Sequence, residues 1–70
     1  MTNLQLVRKV DLWAQDNNDQ ELEERLNQIY QSAKDNSYGW ESVEESSPDL
    51  FSDAVKVAKA NLYRIEEENL

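Results

Sequence analysis

A single glycine and a single proline, Gly39 and Pro48, interrupt the 70 residues of this chain. Tight hairpin turns need residues that accept positive φ, most often a glycine behind asparagine or aspartate. No Asn-Gly or Asp-Gly pair occurs, and no alternating apolar run waits for such a turn to close it. A sheet has nothing to build on here, and no segment repeats at a fixed period. What remains is a chain of helices separated by polar caps. Flexible linkers are rich in glycine, serine and proline, so this is not one. The net charge of −8 by itself favours disorder, but two tryptophans, three tyrosines and a phenylalanine supply the bulk of a core.

Helical periodicity appears three times. Leu6, Val10, Trp13 and Ala14 fall at i, i+4, i+7 and i+8, with Val7 beside them, which predicts a helix over 4–15. Thr2 or Asn3 can cap its start, and Asp16-Asn17-Asn18-Asp19 breaks the pattern with four turn-forming residues. A second helix is expected over 19–34, where Leu22, Leu26, Ile29, Tyr30 and Ala33 share a stripe. Asn18 and Glu21 have the spacing of a capping box at its entrance, and the acids of its first turns suit the positive end of the helix dipole. Asp35-Asn36-Ser37 ends it, with Gly39 as the residue free to take positive φ. Ser47, Pro48 and Asp49 then stand in N-cap, first-turn proline and dipole-facing positions, opening a last helix over 48–67. Its stripe is Phe51, Ala54, Val55, Ala58, Leu62 and Ile65; the three acids of Glu66-Glu67-Glu68 lie at the unfavourable end of the dipole, so the tail 66–70 should fray. Residues 36–47 read equally as a short helix, with Trp40 and Val43 inward, or as an irregular connection. The expected fold class is all-α: a small three-helix bundle, one domain over 1–70, with a short extra helix before the last one.

The inventory excludes most chemistry. Without histidine or cysteine there is no catalytic triad, no imidazole base, no thiol nucleophile, no disulfide and no ordinary zinc site. One glycine cannot make a phosphate-cradling loop. An EF-hand frame starting at Asp16 puts Glu21 where the sharp-turn glycine belongs and Asn27 where the bidentate glutamate belongs. A frame starting at Asp35 ends at Ser46 and fails as well. Paired carboxylates working as acid and base need a pocket that shifts one of them, and so short a chain has little volume to spare for one. The chain reads as non-enzymatic, with no cofactor and no metal.

Fifteen acids against seven bases repel nucleic-acid backbones and anionic lipid. Apolar runs of only a few residues cannot cross a membrane, and Met1-Thr2-Asn3-Leu4 does not begin like a signal peptide. The default location is cytoplasmic. Lys56, Lys59 and Arg64 share the last helix, where Asp53 and Glu68 are spaced to pair with Lys56 and Arg64.

Surface recognition is therefore the expected role: a small accessory or regulatory domain that binds a protein with a basic surface. Acids of the Glu41–Asp53 group would steer the encounter, and loop aromatics would make the buried contacts. The candidate partner-binding residues are Tyr38, Trp40, Glu41, Glu44, Glu45, Asp49, Asp53 and Tyr63. Val57 and Tyr63, off the main stripe of the last helix, suggest an apolar patch that a homodimer would bury. The alternative is a DNA-mimicking inhibitor, since acids one helical turn apart lie about 6 Å apart along the axis, resembling successive phosphates.

Overall fold

The computed structural model describes residues 1–68, with side chains through residue 66. Four helices follow one another: α1 (Asn3–Asp16), α2 (Gln20–Ser32), α3 (Trp40–Ser46) and α4 (Pro48–Glu68). The fold is all-α, and the short extra helix before the last one is α3. Residues 66–68 of the tail expected to fray belong to α4, and 69–70 lie outside the described residues.

Each helix begins where local chemistry satisfies its first N–H groups. Thr2 caps α1 through a reciprocal pair: Gln5 N donates to Thr2 Oγ1 at 3.1 Å, and Thr2 N donates to Gln5 Oε1 at 2.9 Å. The entrance to α2 differs from the expected capping box. Asn18 stands in the left-handed region (φ 54°), which asparagine tolerates better than most residues, and so serves as the turn. The cap is Asp19, whose Oδ1 accepts from Leu22 N at 3.3 Å.

The exit of α2 departs further. The helix ends at Ser32, two residues before the expected 34, and Ala33 is already extended. The N–H groups that would continue the helix are taken by the junction of α3 and α4. Lys34 N donates to Ser47 Oγ at 2.9 Å, and Asp35 N donates to Ser46 Oγ at 3.1 Å. Asn36 then folds back, its Nδ2 donating to Tyr30 O and its carbonyl accepting from Tyr30 Oη, both at 3.1 Å. Gly39 does take positive φ (77°), but at the entrance to α3 and not at the exit of α2.

The helices close on one core. Val7, Val10, Ala14, Leu26, Val43, Ala54 and Ala58 are fully buried, joined by Leu6, Leu22, Trp40, Phe51, Val55 and Ile65. α4 packs against all three other helices, and α1 packs against α2 and α3. At 1.5 Å per residue the 21 residues of α4 run about 31 Å, which accounts for most of the 36 Å long axis. The radius of gyration of 11.5 Å is close to the roughly 11 Å expected for a packed chain of this length.

Five stripe residues sit at the margin. Trp13, Ile29, Tyr30, Ala33 and Leu62 are half-buried and pack against the core from outside. Trp13 has a specific neighbour, because the Arg64 guanidinium lies 5.1 Å from its ring centroid. Arg64 pairs with Asp19 at 2.7 Å, and the side chain of Glu68, its expected partner, lies outside the described residues. One carboxylate thus caps α2 and ties α4 to the α1–α2 turn.

Candidate functional site

Beside the core stripe of α1 runs a polar edge formed by Arg8, Asp11 and Gln15, spaced i, i+3 and i+7. Glu23, Glu24, Asn27 and Tyr30 form the facing edge of α2. The two edges and the 38–40 segment enclose an open groove of about 710 Å³. Tyr38, Gly39 and Trp40 close one side of it. Its charged lining is three carboxylates (Asp11, Glu23, Glu24) against one guanidinium (Arg8).

The aromatic wall is built by contacts distant in sequence. Trp40 is 6% exposed, and its Nε1 donates to Asp11 Oδ2 at 3.1 Å, across 29 positions. Gln15 Nε2 donates to the same oxygen at 3.4 Å. Tyr30 meets Trp40 edge-to-face, with centroids 5.1 Å apart and planes at 67°. Such a pair contributes about 0.5–1.5 kcal/mol beyond the area it buries. These contacts hold the linker against α1 and α2.

Tyr38 is the exception. Its side chain is 82% exposed while its backbone is fixed, because Tyr38 N donates to the buried Ser42 Oγ at 2.9 Å. On the following residue, Gly39 N donates to Asn36 O at 3.0 Å. The ring is therefore carried on an anchored strut. The wide angle at Gly39 (φ 77°, ψ −147°) lies in a region that is essentially glycine's alone, and it lets Trp40 turn inward where Tyr38 turns outward.

The residues expected at the site divide. Tyr38 and Trp40 come together on the groove, but Trp40 belongs to the core and has little surface to offer. Glu41, Glu44 and Glu45 are exposed on α3, and Asp49 and Asp53 are exposed on α4. Glu44 lines a second, smaller depression of about 470 Å³ with Asn3, Phe51, Val55, Lys56 and Lys59. Tyr63 stands 60% exposed on α4, ten residues and about 15 Å of helix beyond Asp53. Val57 is half-buried and packs against the core, while Tyr63 is exposed.

Asp11, Glu23, Glu24 and Tyr30 were not among the sequence candidates. The place of the three acids beside the apolar stripes, and of Tyr30 at the margin of one, marks them as groove-edge residues, but only once it is known that α1 and α2 present those edges to each other. Among the described residues no three carboxylates gather closely enough to hold a metal ion, and no helix is long and apolar enough to cross a membrane. Asp35 lies outside the groove. Its carboxyl is held below the ordinary 3.8, first by the Ser37 hydroxyl and then by the Ser37 backbone N–H, both donating to Oδ1.

No family model matches the chain, and no curated protein or solved structure matches it.

Proposed function

We propose that this protein is a non-enzymatic binding domain of the cytoplasm that engages another protein through a basic surface on that partner. The observation that carries the reading is the α1–α2 groove: three carboxylates and an exposed tyrosine on a pinned backbone, gathered in a concave site. Glu44 of α3 also lines a depression, but a smaller one that it shares with Lys56 and Lys59, whereas the groove gathers three carboxylates around one cation. The overall charge of −8 speeds encounter with a cationic partner and discourages nucleic acid. No cofactor takes part.

Capture of lysate proteins on the immobilised domain tests this, with the Glu23→Gln/Glu24→Gln double variant beside it. Partners retained by the parent should be lost from the variant and should elute as salt rises toward about 0.5 M, where screening acts within a few ångströms. An identical set of proteins on both, unmoved by salt, would defeat the proposal. The mimicry reading makes a separate demand: duplex DNA must displace those partners. Sedimentation over a concentration series addresses self-association, for which a constant monomer mass is the negative result.

A further inference from the structure

We infer that the α1–α2 groove receives an arginine side chain from its partner, stacking the guanidinium on Tyr38 and meeting its charge with Glu23, Glu24 and Asp11; this rests on the protein-binding reading above.

Charge complementarity makes the first argument. Three carboxylates against one guanidinium leave the lining acidic, and Arg8, the cation already there, is itself exposed. A metal ion is the wrong occupant, because the carboxylates do not converge on one point. They are distributed along two helix edges, which suits a cation that is broad and bears several donors. The second argument is the ring. An exposed tyrosine beside carboxylates offers a face to a cation and acceptors to its N–H groups. Arginine uses both at once, since its planar, weakly hydrated guanidinium stacks on rings while it hydrogen-bonds to carboxylates. Lysine, a compact and strongly hydrated ammonium, gains less from such a site. Size is the third: about 710 Å³ falls within the range of clefts that hold small ligands and leaves room for the residues flanking the arginine.

The chain already contains one instance of this pairing. Arg64 places its guanidinium 5.1 Å from the Trp13 ring centroid and donates to the Asp19 carboxylate at 2.7 Å. There the ring and the carboxylate are bridged by the protein's own arginine. In the groove, Tyr38 and the three carboxylates present the same two chemistries with one face still open to solvent.

The test uses three capped peptides, acetyl-Gly-Arg-Gly amide and its lysine and citrulline counterparts, titrated into the full chain at low salt. The reporter is the indole N–H resonance of Trp40, which donates to Asp11 in the groove wall. It is told apart from that of Trp13 by the Trp13→Phe variant. The arginine peptide should shift it saturably, the lysine peptide should bind at least about threefold more weakly, and uncharged citrulline should not bind. Tyr38→Ala should weaken the arginine peptide about threefold to fivefold, and Tyr38→Phe, which keeps the ring, should restore it. Arg8→Gln should tighten it about twofold by removing the resident cation. Equal binding of all three peptides, or an unchanged affinity in Tyr38→Ala, would overturn the inference. Shifts confined to signals from α3 and α4 would overturn the groove while leaving the acidic-surface reading standing. No shift anywhere at about 10 mM peptide would end both.

Discussion

Tyr38 and Tyr63 are the two exposed tyrosines, at 82% and 60%, and they stand in opposite settings. Tyr38 rises from an anchored linker at the rim of an acidic groove. Tyr63 lies on the convex outer face of α4, with Lys59 one turn and Lys56 two turns behind it. Both look alike to an argument from exposure. The difference is that a partner touching Tyr63 meets one side chain on a cylinder, whereas a partner touching Tyr38 is met from two helices and a loop. Concavity multiplies contacts per ordered residue, and an anchored backbone lowers the entropy lost on binding. The same contrast runs between Tyr38 and Trp40, two residues apart, where Gly39 sends one ring to solvent and the other to the core.

Removing the inward ring should break the comparison most severely. Trp40→Ala should cost about 3–5 kcal/mol, because it empties a core site and leaves Asp11 without the indole N–H. That is about half of the roughly 4–10 kcal/mol available to a domain of this length, so the urea midpoint should fall to about half that of the parent. A well-folded variant with an intact groove would mean that Trp40 is not its wall. Next comes the hinge between the rings. Gly39→Ala should cost about 1–3 kcal/mol through backbone strain alone, since open space surrounds the position where the new methyl would sit. Thermal melting would show it, and a neutral result would place the strain elsewhere.

Ser47→Ala tests the strut from behind. The Lys34 N–H loses its acceptor, so about 1 kcal/mol should be lost, with faster hydrogen exchange at Lys34 and its neighbours. Tyr63→Ala is the control for the other face: stability should stay within about 0.5 kcal/mol, and arginine-peptide affinity should not change. A loss of affinity there would shift the site to α4.

Asp35 should show the smallest effect. Its folded pKa lies below the ordinary value, so its contribution to stability is fully present above about pH 4. That contribution fades as the pH falls through the folded value, because the unfolded chain takes up the proton first. Asp35→Asn should therefore separate from the parent in melting temperature near neutrality and converge with it in strong acid. A difference that grew as the pH fell would contradict the assignment to Ser37.

Much of the fold was legible in advance because helices answer to short-range rules. The stripes led by Leu6, Leu22 and Phe51, the Thr2 cap and the Pro48 start all depend on residues within a turn or two of one another. Legibility failed where a local group found a distant partner. Ser47 reads as the N-cap of α4, and its carbonyl does accept from Phe51 N at 2.9 Å, but its hydroxyl accepts from Lys34 N, 13 positions back. Asp19 reads as one more acid at a helix entrance, yet it also holds Arg64, 45 positions on. The candidate site suffered the same way. Glu41 through Asp53 formed the visible acidic cluster, while Asp11 lay off the first stripe and Glu23 read only as a first-turn acid facing the helix dipole.

By itself the sequence determined that the chain is helical and acidic, where three of its helices begin, and which stripes turn inward, since periodicity, caps and net charge are properties of neighbours. The tertiary structure alone decided that α2 stops at Ser32, that Trp40 is wall and Tyr38 is rim, and that the concave acidic site lies between α1 and α2. Those outcomes depend on which edges meet when the stripes are buried. Packing four helices on one core brings together Asp11 and Trp40, Lys34 and Ser47, and Asp19 and Arg64, and no local rule contains those distances.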